Sequence, residues 1–214
     1  MREDYKTQVI VTAQKAQREG LCKHKSGNVS VYDPESGLFF ITPSGVDREK
    51  LTPQDICVLD LQLNQIEGGK PSSEALMHAA CYRVRDDIRA VVHTHSRMAT
   101  AFAVLNKSIP ATVFEMFVFP TENACIPVAP YALPGTTELA DNVAAVIAKN
   151  DMALMERHGA IAVGKSAEEA LLAAHYTEEF AELYYYALQI NGGAEPPVFT
   201  KEELNRWKYP EKLN

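Results

Sequence analysis

The segment SGNVSVYDPESGLFFITPSG constrains the fold of this chain more than any other stretch. Two runs rich in β-branched and aromatic residues flank Asp33-Pro34-Glu35-Ser36-Gly37, a composition that turns a chain back on itself. Strands joined by so short a link run antiparallel. ICVLDL follows as a third strand, and NQIEGG as a turn with further pairing. Helical spacing of Tyr5, Val9, Ile10, Ala13 and Ala16 predicts a first helix that stops at Gly20. A second helix starts near Ser72 or Ser73, either of which can cap it, and runs through ALMHAACYRVR. IRAVVHTH reads as a buried strand, SRMATAFAVLN as a short helix and PATVFEMFVF as another strand. CIPVAPYALPG is extended and turn-rich, and TELADNVAAVIAKN is helical. MALME and AIAVG are apolar runs on either side of His158. Ser166 and Glu169 make a capping box for a long helix through AEEALLAAHYTEEFAELYYYALQI, and TKEELNRW is a short final helix. The Tyr184–Tyr186 run would circle that long helix, so it reads as packing or a subunit contact. Helices alternate with strands, yet the hairpin links favour a mixed or largely antiparallel sheet over a doubly wound parallel one.

Other functions are disfavoured by composition. The net charge is −7 and basic residues are scattered, which argues against nucleic acid as a partner. The first twenty residues are charged and amphipathic rather than signal-like, and no apolar stretch approaches the length of a membrane span. Cys22, Cys57, Cys81 and Cys125 are widely spaced with no C-x-x-C, so they read as reduced thiols of a cytoplasmic protein. No linker, repeat or low-complexity tract divides the chain. With 46% hydrophobic residues, it is expected to form one domain over 1–214.

His93 and His95 sit in AVVHTHS at the end of an apolar run, and His158 sits in LMERHGA after another. Residues i and i+2 of a strand face the same way, so the imidazoles of an H-x-H can hold one ion together. Glu74, in KPSSEALMH, lies just ahead of them. Three neutral imidazoles suit zinc or another divalent transition metal, and a three-ligand site keeps a position open for water or substrate. The pattern predicts a catalytic metal centre. A cupin also uses H-x-H, but it needs a carboxylate soon after the pair, and Ser96 to Asn106 contains no acid. His24 and His175 lie in polar or helical surroundings, and His78 falls on the helix that carries Glu74. None of these three is assigned to the site.

Three small-residue segments, KSGNVS, TPSG and KPSSE, precede the H-x-H. Backbone N–H groups and hydroxyls at such turns, together with a helix N-terminus, make an oxyanion cradle. In order, SGNVSV, ITPSGV, KPSSE, AVVHTHS, IPVAPYALPGTTEL and RHGAIAVG resemble the class II aldolase/L-ribulose-5-phosphate 4-epimerase superfamily. Within it they are most similar to the L-fuculose-1-phosphate aldolase type, roughly from Glu19 to Leu188. The resemblance implies an α/β fold of three layers, with a central mainly antiparallel β-sheet flanked by helices. It also implies a homotetramer with active sites between subunits.

Residue by residue, the resemblance implies zinc ligation by His93, His95 and His158. Glu74 takes the place of the catalytic acid/base, which can also touch the metal. Phosphate binding falls to Gly27 and Asn28, to Ser44 and Gly45, and to Ser72 and Ser73. His24-Lys25-Ser26 stands where the family often has Gly-Thr, so Lys25 would add a charge. The assisting tyrosine from a neighbouring subunit has Phe114 as its nearest match, with Glu115 and Tyr209 as candidate replacements. The TVFEMFVFP segment and the RWKYPEKLN tail are then expected near a neighbour's zinc. On this reading the metal is the Lewis acid for C3–C4 cleavage of a small ketose 1-phosphate, with Glu74 moving the proton. L-Fuculose 1-phosphate or a deoxy-pentulose 1-phosphate would yield dihydroxyacetone phosphate and an aldehyde, with no Schiff-base lysine. The scaffold also supports 4-epimerisation, disfavoured by the short tail, and methylthioribulose-1-phosphate dehydration, which Glu115 keeps open. A non-enzymatic domain of the adducin kind is disfavoured by the intact His93, His95, His158 and Glu74 set.

Overall fold

A computed structural model describes residues 2–206. Helix α1 (Arg2–Arg18) opens the chain, with Glu3 and Asp4 in its first turn and Lys15 and Arg18 in its last, as the helix dipole favours. Strands β1 (Asn28–Asp33) and β2 (Leu38–Ile41) form the expected hairpin, pairing Asp33 with Leu38 and Ser30 with Ile41. The turn is held locally, because the Asp33 carboxylate accepts from Glu35 N at 3.1 Å and Ser36 Oγ at 2.6 Å. Strands β3 (Cys57–Asp60) and β4 (Gln65–Glu67) continue the meander. Then come α2 (Ala75–Val84), β5 (Ala90–Thr94) and α3 (Arg97–Val104). Two short strands, β6 (Ile109–Pro110) and β7 (Cys125–Ile126), pair apart from the main sheet. The chain continues through β8 (Val128–Ala129), α4 (Thr137–Ile147), β9 (Met152–Met155) and β10 (Gly159–Gly164). Helices α5 (Ala167–Ile190) and α6 (Lys201–Arg206) follow.

The eight-stranded sheet runs β4-β3-β2-β1-β5-β10-β9-β8, and every pair is antiparallel except β8 with β9. Its two faces are packed separately. Val29, Val31, Val92, Ala160 and Ala162 join a core with α1, α3 and α5, whereas Val91, Ile161 and Val163 join one with α2 and α4. The alternation along β5 and β10 is the period-2 rule, and it produces the three layers read from the sequence. All four residues of β2 (LFFI) are buried, as a strand covered on both faces requires. Each such side chain contributes roughly 1.5–3 kcal/mol by leaving water.

Two local expectations change. PATVFEMFVF is not a strand beyond Ile109–Pro110; Phe114–Val118 forms a 3₁₀ turn instead. Its aromatic residues pack on one another and on the chain beyond α5, with Phe114 stacked on Phe117 at 4.7 Å and edge-on to Phe199 at 6.3 Å. Aromatic density signalled a strand, but these contacts suit a short turn equally well. The N-cap of α2 is Glu74 rather than a serine, although Ser72 Oγ accepts from Glu74 N at 3.3 Å. Ser166 caps α5 as expected, its Oγ accepting from Glu169 N at 3.1 Å, while Glu169 Oε2 reaches back to Lys165 N.

His78 is fully buried between α2 and β1, against Ser30 and beside the Tyr32–Tyr82 ring stack. Burial pushes its pKa down to about 3, Glu74 partly opposing that shift and His93 adding to it. An unfolded chain protonates histidine near its ordinary 6.5, so it binds more protons between the two values. The stability contributed by neutral His78 is therefore complete above pH ~6.5 and lost as pH falls toward ~3. Urea midpoints of the parent should fall more steeply through that window than those of His78→Gln. Parallel slopes would show that His78 is not held neutral in the folded protein.

Candidate active site

The site grows from the middle of the sheet. Strand β5 pairs with β1 on one side and β10 on the other, setting His93 opposite both Asn28 and Ile161. His93 Nδ1–H donates to Ala160 O at 2.8 Å, so its Nε2 lone pair faces away from the sheet backbone. His95 follows beyond the strand end. The next residue, Ser96, is the N-cap of α3 but makes no side-chain cap bond. Instead the Glu178 carboxylate on α5 accepts from Met98 N at 2.8 Å and Ala99 N at 2.9 Å, fixing the chain's path just past the H-x-H. His158 sits in the link between β9 and β10, with its N–H on Met155 O at 2.9 Å and Arg157 left-handed at φ 55°. A Cβ on Gly159 would lie 2.3 Å from Thr94 O, so only glycine lets β10 start this close to the H-x-H.

These placements bring the three imidazoles together. One ligand atom from each of His93, His95 and His158 lies within 4.8 Å of the others. His93 Nε2 and His95 Nε2 are 2.9 Å apart. Glu74 closes the group from the head of α2, its Oε2 3.1 Å from His93 Nε2 and its Oε1 3.4 Å from His158 Nε2. His158 Nδ1 and Glu74 Oε1 are buried with no hydrogen-bond partner. Three imidazole nitrogens meeting an unsatisfied Glu74 Oε1 are what a divalent transition metal satisfies, and this donor set fits one. Burial, then His93 and His158, push His95 down to about 4, and burial with His93 lowers His158. Both are thereby kept in the neutral, metal-binding form near neutral pH. Burial opposes ionisation of Glu74, but His93, His158 and the Asn28 amide outweigh it and hold the carboxyl below its usual range.

The three polar turns frame the same cavity, of about 210 Å³. Gly27 and Asn28 line it with Ser44 and Gly45, and Ser72 and Ser73 complete the rim beside Glu74, His95 and His158. Gly27 is left-handed (φ 71°), and a Cβ there would meet Cys22 Sγ at 2.5 Å and His93 O at 2.7 Å. Ser44 N donates to Lys70 O and Ser72 N to Thr42 O, so two of the turns are sewn to each other. Larger hollows of about 440 and 430 Å³ lie along Val118–Pro120, and neither touches the histidines.

Sequence reasoning missed one residue here. Arg48 is 4% exposed and lines the cavity, donating from Nη2 to Gly27 O at 2.6 Å and from Nη1 to Pro43 O at 3.2 Å. It ties the first two turns together, and no carboxylate among the described residues pairs with it. Burial lowers its pKa, but a guanidinium stays charged. Its only signal was a cation close behind TPSG, which nothing in the local pattern distinguishes from a surface arginine. His78, assigned no role, lies on α2 as expected and is buried. Lys25 is exposed on the cavity rim. Glu115 is exposed on the 3₁₀ turn and does not line this cavity. His24 is exposed, and His175 pairs with Glu19. Trp207 and Tyr209 lie outside the described residues.

Comparison with known proteins identifies the family of this fold. Residues 7–185 match the family described as class II aldolase and adducin N-terminal domain. The chain is 41% identical over 197 residues to an L-fuculose phosphate aldolase of Escherichia coli (strain K12), covering 92% of this chain and 89% of that one. It is 35% identical over 198 residues to a 5-deoxy-D-ribulose 1-phosphate aldolase of Bacillus thuringiensis, covering 92% and 90%. The fold superposes on a solved L-fuculose 1-phosphate aldolase with a TM-score of 0.89 at 35% identity, covering 94% of this chain and 93% of that one. The antiparallel sheet, its flanking helices and these likenesses agree: the chain belongs to the class II aldolase and adducin N-terminal domain family and is a class II aldolase, a carbon–carbon lyase.

Proposed function

We propose that this aldolase reversibly cleaves a small ketose 1-phosphate to dihydroxyacetone phosphate and an aldehyde, using zinc held by His93, His95 and His158. The observation that carries this reading is the meeting, in one cavity, of three imidazoles, a buried carboxylate and three polar turns. Class II aldolases are metal-dependent. Relatives named as acting on L-fuculose phosphate and on 5-deoxyribulose 1-phosphate support a substrate from the same class.

Bound at the histidines, zinc supplies Lewis acidity toward a carbonyl oxygen. Glu74 carries the proton to and from the dihydroxyacetone phosphate carbon, and its depressed pKa keeps it ready to accept. The turns at Gly27–Asn28, Ser44–Gly45 and Ser72–Ser73 hold the phosphate through N–H and hydroxyl dipoles. Arg48, charged and without an acidic partner among the described residues, biases that cradle toward a dianion. Lys25 adds a second, solvent-facing charge at the rim. The assembly we propose is a homotetramer with sites between subunits. Leu105, Leu133 and Ile190 support it, being 71%, 64% and 88% exposed in the single subunit. A cytoplasmic location accords with four free cysteines, of which Cys22, Cys57 and Cys81 are buried. Among the described residues no helix is long and apolar enough to cross a membrane.

A panel of ketose 1-phosphates, read by dihydroxyacetone phosphate release, tests the reaction and separates cleavage from epimerisation and dehydration. Chelation should abolish release and zinc restore it. His95→Ala should lose its metal at chelator concentrations that leave the parent loaded, and equal zinc content in the two would remove the metal assignment. Glu74→Gln should keep zinc and fold while kcat falls about 100-fold or more; near-normal turnover would move the proton transfer elsewhere. Lys25→Ala should raise KM for phosphorylated substrates with zinc content unchanged. An unaltered KM would return Lys25 to the solvated surface.

A further inference from the structure

Glu74, His78 and Tyr82 are spaced by four residues at the head and along one face of α2, and Asn28 and Ser30 are spaced by two on β1. Four residues of helix rise about 6 Å and two of strand about 6.7 Å, so the two rows stay in step where helix and strand pack together. The polar side chains of these rows meet in a continuous series. Tyr82 OH lies 2.6 Å from Ser30 Oγ, which lies 2.6 Å from His78 Nδ1. His78 Nε2 is 2.5 Å from Asn28 Oδ1, and Asn28 Nδ2 is 3.0 Å from Glu74 Oε2. Every one of these residues is buried.

Donor and acceptor chemistry gives this series a single direction. A carboxylate only accepts, so the NH₂ of Asn28 faces Glu74 and its carbonyl faces His78. His78 Nε2 must then carry the hydrogen, which leaves Nδ1 of the neutral ring as an acceptor. Ser30 spends its one hydrogen on that nitrogen, so Tyr82 donates to Ser30. With the other tautomer, Nδ1–H would point at Ser30 and Nε2 would demand a donor. The Asn28 amide would flip, and its oxygen would confront the Glu74 carboxylate.

We infer that Tyr82, Ser30 and His78 form a one-way hydrogen-bond chain that sets the amide of Asn28 and thereby fixes the Glu74 carboxylate between His93 and His158. This rests on the reading of Glu74 as the proton carrier. His78 is a positioning residue: it touches no imidazole of the cluster, and its one contact with a phosphate turn is the Asn28 side chain, through which it acts. Glu74 stands before the first turn of α2, so its side chain is not held by helical neighbours on both sides. Among the described residues, Asn28 supplies the one hydrogen bond that the Glu74 carboxylate accepts from outside the imidazole cluster. Each donor in the chain polarises the next, which strengthens the last bond. Misplacing a catalytic group by about 1 Å costs up to ~100-fold in rate, so loss of this bond falls on turnover rather than on substrate binding.

The test uses the full-length, zinc-loaded protein. Nitrogen-15 shifts of His78 should report the Nε2–H tautomer; an Nδ1–H ring would overturn the chain outright. His78→Leu, which ends the series at Asn28, should lower kcat about 10-fold or more with KM for the ketose 1-phosphate within about twofold. His78→Gln offers an N–H to Asn28 and should recover much of the lost kcat. A His78→Leu protein that loses stability but keeps its kcat, or one that Gln does not rescue, would reduce the chain to packing. If the leucine variant does not fold, Tyr82→Phe with the tautomer measurement still decides the direction. Normal turnover in Glu74→Gln would remove the role of Glu74, whereas the His78 tautomer tests the chain by itself.

Discussion

The architecture depends on β5 being paired on both edges. Because β1 and β10 flank it antiparallel, Asn28 and Ile161 are locked beside His93. The same pairing brings the Ala160 carbonyl under His93 Nδ1. The strand pairing therefore orients a nitrogen of the proposed metal site through a backbone carbonyl. His158 depends on the same ladder, since it stands one residue before β10 begins. Slipping the register by one residue would send His93 to the face occupied by α1, α3 and α5 and break the cluster.

An acidic protein that binds an anion must solve an electrostatic conflict, since its net charge of −7 repels such a ligand at long range. On the proposed reading the polar turns answer locally. Backbone dipoles at tight turns carry partial positive charge that is fixed before the ligand arrives. Arg48 adds a whole charge behind them, held by carbonyls, with no carboxylate among the described residues paired to it. Its two roles are linked: the contacts that keep it unneutralised are also the ones that join the turns. Lys25 differs, being exposed and screened, so its influence weakens with salt.

Much of this was legible in the sequence. The hairpin at Asp33–Gly37, the buried β5, the capped α5 and the convergence of His93, His95, His158 and Glu74 all follow from local chemistry or from the ordered motifs. The failures share a cause. Phe114–Val118 has strand-like composition, but its rings are satisfied by one another and by Phe199, a contact set by chain folding far from the segment. His78 looked like an ordinary helical histidine because its partners lie some fifty residues away on β1. Yet a trace existed: the polar alternation Asn28, Ser30, Tyr32 on one strand and the four-residue spacing of Glu74, His78 and Tyr82. Each pattern alone is unremarkable, and only the packing of α2 on β1 makes them a pair.

The place of Glu74 at the head of α2 carries a further consequence. A helix N-terminus favours negative charge, and two anions compete for this one: the Glu74 carboxylate and, on the proposed reading, the substrate phosphate at Ser72 and Ser73. Their repulsion at close range would cost several kcal/mol in a low-dielectric pocket. The fold separates them. Ser73 is exposed and opens toward the cavity mouth, while Glu74 is 5% exposed and turned inward to the imidazoles and Asn28. Adjacent residues therefore serve opposite directions, as the extended-to-helix transition allows, with Glu74 at φ −104° and ψ 15° just before the first turn. The imidazoles and the Asn28 amide receive the carboxylate on one side, and the dipoles of the turns remain available on the other. On that reading, the separation of proton carrier from phosphate anchor is set by a single backbone turn.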